Sequence, residues 1–492
     1  MKCEISFKKW GVDAVLMERL QVIVLTLLTL SSFMVALDST IVVLALPVML
    51  TALHTDLSTL IWIILIYILA VTIFSTQLGK LGDIRGRAKM FNLGMILFGI
   101  GSALCGLSGN ALELIGFRAV QAFGGSLMTS NTMAIASDYF QPHERGFVFG
   151  TTSMGWNLGA VAGILAGGVI TTFIGWRWIF YINVPIAIFS FVTGLIYLRD
   201  KGIRVRQGFD IPGAVTLGLA LGLYSMAGIT YAGVGYNTVI GLMLILGTIL
   251  LAAFIYIESR AKYPLIGLSL FRIRMFTLSS FSYFFQFMAN YAILFLIIMY
   301  LQGVRGLNPF DASLWLVPGY LLGSLSATFG GRLADRFDAR IIASVGLMLQ
   351  AIAYVLYDTL LSLTTPLYLV TIIATISGVG AAMFFAANGK MVMFEVPGNM
   401  YGIASGTNRT IGNIGMLLSF IIAIVVSSAA IPRSIAFQIF VGTSTLTPSL
   451  MAPFINSLHM AFRVSLILIV IAVVTSWSRT RVPMTQKVTK AQ

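Results

Sequence analysis

Charge is what this chain has least of. Asp, Glu, Lys and Arg together make up 10% of its 492 residues, and only 17 residues are acidic. A solvated globular surface carries roughly a quarter to a third charged residues, so a water-soluble globule is excluded. Histidine is scarcer still: His54, His143 and His459 stand apart, at loops or at the ends of apolar runs. The two cysteines, Cys3 and Cys105, fall on opposite ends of the protein in the topology read below and lack metal-type spacing. Neither a disulfide framework nor a metal site is therefore expected. With no nucleophile, metal or phosphate constellation, an enzyme is not expected, and no cofactor is called for.

Apolar sequence fills the space instead. Hydrophobic residues reach 58%, and mean hydropathy is +0.94. In hydrocarbon only helices and closed barrels satisfy every backbone polar group. The runs are continuous rather than alternating, which selects helices. Stretches of about 20 apolar residues, the length that spans a bilayer, lie near 22–47, 58–78, 91–109, 112–134, 147–172, 178–198, 211–230, 238–257, 276–302, 312–331, 341–362, 367–388, 402–427 and 457–478. These predict an all-α polytopic membrane protein with fourteen spans and the lipid bilayer as its partner. The first run is too long for a signal peptide and ends in no small-residue cleavage site. Loops are short except the basic ones at 199–210 and 258–275 and an outer loop at 428–456.

The net charge of +14 reads as topology. With the N-terminus inside, every Lys and Arg falls on inner segments except Arg177, Arg305, Arg433 and Arg463 outside and Arg118 and Arg409 within spans. That bias is the positive-inside rule. It places both termini in the cytoplasm and needs no nucleic acid to explain it.

One short pattern occurs twice. Gly79-Lys80-Leu81-Gly82-Asp83 ends the second span, with Arg85 and Arg87 following, and Gly331-Arg332-Leu333-Ala334-Asp335 ends the tenth. Glycines such as Gly79 and Gly82 let helices approach closely, and Asp83 can cap a helix or pair with a nearby Arg. Such contacts can latch one conformer of a two-state machine. The pattern resembles the cytoplasmic loop signature of the major facilitator superfamily. Its echo fits duplicated halves: residues 1–198 as the first six-helix half, 199–275 as an inserted helix pair with basic loops, 276–478 as the second half, and 479–492 as a cytoplasmic tail.

Two spans carry charge. Asp38 lies mid-span, where an acid costs about 2.5–3.5 kcal/mol to insert and so usually faces a cavity and acts there by binding and releasing a proton. Arg118 shares a helix face with Gln121 and Gly125 and needs an acceptor, either Asp38 or Glu113. Together Asp38 and Arg118 are the expected proton-coupling residues. Gly155, Gly159, Gly163 and Gly167 recur every four residues, as helix-packing stripes do. They also resemble the glycine-rich antiporter signature of the drug-exporting families, with both of its prolines missing. Ser279, Tyr283, Gln286 and Asn290 form a polar stripe on the ninth span that could line a cavity or bond to a neighbouring helix, and cavity lining is the favoured reading. Trp62, Tyr67, Asn388, Asn408 and Arg409 are further cavity candidates.

The segments Gly175–Pro185, Phe209–Gly213 and Ala404–Arg409 are similar to the fourteen-span drug:proton antiporter branch. That resemblance implies a monomeric cell-membrane exporter, exchanging protons for small amphipathic or cationic compounds by alternating access. A lipid or lipid-linked-sugar flippase, or a facilitator not coupled to protons, remains open on the same fold, and a non-transporting sensor has little support. No Asp or Glu occurs in spans nine, twelve or thirteen, so Asp38 is expected to carry the coupling and divalent cations are less expected as substrates.

Overall fold

The computed structural model describes residues 2–5, 15–141, 144–201, 208–397, 400–429 and 448–480. Two short strands, β1 (Lys2–Ile5) and β2 (Val15–Glu18), pair antiparallel ahead of the bundle, with Lys2 opposite Glu18. Hydropathy gave no hint of them. The helices follow as α1 (Arg19–Ala52), α2 (Leu57–Arg85), α3 (Arg87–Leu107), α4 (Ala111–Tyr139), α5 (Arg145–Phe173), α6 (Trp178–Tyr181), α7 (Asn183–Tyr197), α8 (Ile211–Val234), α9 (Thr238–Arg260), α10 (Arg274–Met299), α11 (Pro309–Arg336), α12 (Ala339–Leu360), α13 (Leu367–Met393), α14 (Tyr401–Ala429) and α15 (Pro448–Trp477).

Among the described residues thirteen segments are long and apolar enough to cross a membrane, α6 and α7 counting as one. Helix α4 is not among them, although it is 29 residues long and packs between α2 and α3. Its hydropathy is diluted by Arg118, Gln121, Ser126, Thr129, Asn131 and Thr132. Four of these bond back to their own helix: Ser126 to the Ala122 carbonyl, Thr129 to that of Gly125, Asn131 to that of Leu127 and Thr132 to that of Met128. Polar side chains satisfied in this way cost a helix in lipid little.

Three expectations change at this level. The expected sixth span breaks at Ile182 into α6 and α7. The last span begins at Pro448 rather than near 457, and α14 runs on to Ala429, so the outer loop shrinks. Residues 430–447 lie outside the described residues.

Packing follows small residues. Helix α5 lies along α1, and its four glycines meet one row of α1. A Cβ on Gly155 would sit 2.8 Å from the Thr29 carbonyl oxygen, one on Gly159 2.9 Å from Phe33 Cα, one on Gly163 2.5 Å from the Leu37 carbonyl, and one on Gly167 3.1 Å from Ile41. The stripe is thus a backbone-to-backbone seam, which Thr40 reinforces by donating to the Ala160 carbonyl at 3.1 Å. Helices α3 and α4 approach in the same manner, through Gly94, Gly101 and Gly124. Later in the chain α11 packs on α13, α12 on α13 and α15, and α10 on α14 and α15. The pair α8–α9 reaches α2 and α14 through α8.

Strongly basic segments gather at one end of the bundle, where α1 begins and α2 ends. At the opposite end the early and late helices are clasped. Gln302 donates to the Leu44 carbonyl at 3.0 Å, the Phe310 N–H donates to Thr172 Oγ1 at 3.0 Å, and Gly168 abuts Ser313.

Candidate functional site

The seam between α1 and α5 sets the azimuth of α1 and turns Asp38 away from α5, toward α4. There Arg118 Nη1 donates to Asp38 Oδ2 at 2.6 Å, with the pair almost wholly buried. Gln121 Nε2 donates to Asp38 Oδ1 at 2.8 Å, and Asn183 Nδ2 reaches the same oxygen at 3.2 Å. Arg118 Nη1 also donates to Gln121 Oε1 at 2.6 Å, and its Nε donates to the Ile63 carbonyl at 3.2 Å. Gln121 in turn also donates to Ser102 Oγ at 2.8 Å. The Tyr67 ring covers the guanidinium, 4.3 Å from its carbon, with Phe180 at 5.9 Å.

Five parts of the bundle contribute to this network: α1 the acid, α4 the guanidinium and an amide, α2 a carbonyl and a ring, α3 a hydroxyl, and the α6–α7 junction Asn183. Buried polar groups this well satisfied rigidify a site, and removing any partner strands the others. Asp38 has no exposed surface. The expectation that it faces a cavity is therefore corrected: in this conformation the carboxylate is sealed inside an ion pair. Glu113, the alternative acceptor for Arg118, instead receives Gly109 N–H and Asn110 Nδ2 in the exposed turn that opens α4.

The structure brings Asp38 and Arg118 together as an ion pair, joined by Asn183 and Ser102, which the sequence reading did not single out. Asn183 had a signal in the run Gly175–Pro185. Ser102 had none, because Gly101 and Gly124 act only by letting α3 and α4 touch. Tyr67, expected as cavity lining, belongs to the ion-pair site; its hydroxyl is buried without a hydrogen-bond partner.

At the basic end the first copy of the repeated pattern is not a loop. Gly79 through Arg85 form the last turns of α2, and the chain turns at Gly86 alone, with φ +113°. Gly82 faces Asn131, with no room for a Cβ, and Gly79 faces Ser130. Asp83 does not cap a helix. Its Oδ1 receives Arg87 at 2.7 Å, and Arg87 also donates to Asp138 at 2.6 Å. The Asp200 carboxylate accepts the Ala88 N–H at 2.8 Å and so caps α3, a role the sequence did not suggest. Arg85 is exposed. In the second copy no described atom lies within 4 Å of a Cβ built on Gly331. The Asp335 side chain lies outside the described residues.

The polar stripe on α10 is corrected as well. Gln286 donates to Gln350 on α12 at 3.1 Å, and Asn290 accepts from Tyr354 on α12 at 2.8 Å. Both therefore face a neighbouring helix. Ser279 is buried, while Tyr283 packs on Phe287, Phe385 and Gly412. Asn408 accepts from Ser280 at 3.2 Å, Asn388 is buried and Trp62 half-buried. Arg409 donates across to the Thr129 carbonyl on α4 at 3.3 Å, and Thr76 and Thr410 lie 3.2 Å apart between α2 and α14. Of the cavity candidates Arg409 is thus the one seen to bridge early and late helices.

The family model described as Major Facilitator Superfamily matches residues 28–209, 211–420 and 279–488. The chain is 30% identical over 400 residues to the riboflavin transporter RibZ of Clostridioides difficile, covering 80% of this chain and 86% of that one. It is 30% identical over 396 residues to multidrug resistance protein 3 of Bacillus subtilis (80% and 76%) and 29% identical over 387 residues to the tetracenomycin C resistance and export protein of Streptomyces glaucescens (78% and 71%). A bacterial homolog to the human lysosomal transporter Spinster, solved in an inward-facing and occupied conformation, superposes with a TM-score of 0.68 over 94% of this chain and 97% of that one. At 17% identity that likeness concerns the fold. With its helical bundle and a family match spanning most of its length, this chain belongs to the major facilitator superfamily and is a multi-pass membrane transporter, not an enzyme.

Proposed function

We propose that the protein is a proton-coupled exporter of amphipathic or cationic compounds in the cell membrane, monomeric, with the basic end and both termini in the cytoplasm. The observation that carries this reading is the Asp38–Arg118 pair, a titratable acid paired with a fixed cation inside the membrane and bonded to Gln121, Asn183 and the Ile63 carbonyl. Intramembrane charge is costly and marks ion pathways in pumps and transporters. The names of two relatives, a multidrug resistance protein and a tetracenomycin C resistance and export protein, support the substrate class.

The mechanism follows from the bonds. When a proton reaches Asp38 the carboxylate loses its charge and the attraction to Arg118. The guanidinium keeps Gln121 and the Ile63 carbonyl, so it stays in place while α1 is released from α4. Because Asp38 is sealed, proton access requires α1, α2 and α4 to part beneath the Tyr67 ring, and this couples protonation to helix movement. The clasp at the far end supports a conformer closed on the outer side. The packing of α1–α7 and of α10–α15, with α8–α9 wedged between α2 and α14, supports two six-helix halves and an inserted pair, fourteen spans in all with α4.

A second reading has its own support. RibZ is a riboflavin transporter, so a neutral aromatic compound is a competing substrate. The test is transport in sealed vesicles under an imposed pH gradient, using fluorescent cations, neutral amphiphiles and riboflavin, with Asp38→Asn alongside. Gradient-driven accumulation that Asp38→Asn abolishes is the expected result. Equal transport by the variant, or transport indifferent to the gradient, overturns the proton-coupled reading.

A further inference from the structure

Arg409 is a cation set inside a span on which the chain places no acid. It stands eight residues into α14, on the side that meets the early helices, and is half-buried. Its Nη1 donates to the Thr129 carbonyl at 3.3 Å. Among the described residues its other N–H groups have no partner, and no carboxylate lies within ion-pair distance of it. Nor does the rest of the chain offer one at this depth. Asp38 is held by Arg118, and every other Asp and Glu lies at a helix end or outside the helices. A guanidinium carries five N–H donors and no acceptor, and keeping its charge inside a bundle is costly unless something answers it.

The surroundings add a second open donor and an aromatic wall. Asn413 lies one turn further along the same face of α14, and its Nδ2 is buried without an acceptor. Gly412 beside it has no room for a Cβ against the Tyr283 ring, which meets Phe287 and Phe385 edge-on. The approach from the basic end is open. Ser405, one turn before Arg409, is exposed, and Met133, one turn beyond Thr129 on α4, is 44% exposed. With the outer end clasped, an opening between early and late helices at this depth leads to the basic end.

We propose that Arg409 and Asn413 form the subsite for an anionic group of the transported compound, and that an aromatic carboxylate is the chemistry it takes, with the ring system against Tyr283. This rests on the reading of the chain as an exporter of amphipathic compounds and narrows that class. A carboxylate accepts from the guanidinium and the amide together, and charge-assisted bonds of this kind are the strong ones. A cation would instead meet Arg409 with repulsion and find no acid in spans nine, twelve or thirteen to offset it. Because Arg409 also holds the α4 backbone, an anion bound there touches the one cation seen to bridge early and late helices.

The test is binding to the detergent-solubilised protein with no gradient present, read from the fluorescence anisotropy of the probe. Three probes share one ring system: dansylglycine, an anion at neutral pH, its neutral methyl ester, and the cationic dansylethylenediamine. Dansylglycine should bind about tenfold more tightly than either of the others, the scale of a hydrogen bond to a charged group. Arg409→Gln should erase that preference by weakening the anion far more than the ester. Arg409→Lys should keep part of it, and Asn413→Leu should weaken the anion several-fold. If Arg409 were only a brace between helices, its loss would weaken all three probes alike. That result, equal or tighter binding of the cation, or no binding of the anion by the parent protein overturns the proposal. Should the Arg409 variants fail to fold, the parent's ranking of the three probes and the Asn413→Leu variant decide. An anion preference combined with transport indifferent to a pH gradient would leave the subsite standing and overturn only the proton-coupled reading.

Discussion

Cutting the Asp38–Arg118 pair from either side gives the most discriminating measurement. Asp38→Asn leaves a guanidinium that is 2% exposed without its carboxylate, and Arg118→Met leaves a carboxylate with no exposed surface without its cation. Breaking a buried pair from one side costs about 3–5 kcal/mol, because an uncompensated charge stays behind. Coulomb attraction gives a similar figure, about 4 kcal/mol for charge centres ~4 Å apart at an effective dielectric of ~20. Removing both charges avoids that penalty, and the doubly substituted protein should lose less stability than either single variant. Unfolding in detergent, followed by tryptophan fluorescence for all four proteins, yields the coupling as a double-mutant cycle. The double variant should regain stability and yet fail to transport against a pH gradient, which separates the structural role of the pair from its coupling role. If the losses simply add, to about 6–10 kcal/mol, the two groups do not interact and the site has been misread.

The glycine seam predicts a graded series. Alanine at Gly159 or Gly163 must push α5 off the α1 backbone and should cost about 1–3 kcal/mol with loss of transport, whereas Gly167→Ala, with its nearest atom at 3.1 Å, should be milder; equal effects at all three would refute the seam. Cys105, fully buried with its Sγ 3.9 Å from Gln121 Oε1, should resist a membrane-permeant maleimide in a Cys3→Ser background and react several-fold faster once Asp38→Asn loosens the network. Fast labelling of the parent would show that the site is open. Replacing Gln286 and Gln350 together by leucine should leave the substrate spectrum unchanged, since the two amides bond each other; a shifted spectrum in export assays would restore Gln286 to the cavity.

Hydropathy, the bias of basic residues and the two copies of the glycine-rich pattern carried the helical membrane fold, because a bilayer imposes its length and polarity on every span independently. The same constraint picked out Asp38 and Arg118, whose charge is conspicuous in hydrocarbon whatever surrounds it. Sequence also gave the face of α4 that Arg118 shares with Gln121, since helical spacing is local.

Which neighbour occupies that face was a matter of packing. Arg118 had Asp38 and Glu113 as possible acceptors, and the choice fell to the α1–α5 seam, which turns Asp38 toward α4. Gln286 and Asn290 read as cavity lining by periodicity, yet α12 lies against them. Helical periodicity fixes where a side chain leaves its own helix; contact between backbones, set largely by glycines, decides what it meets.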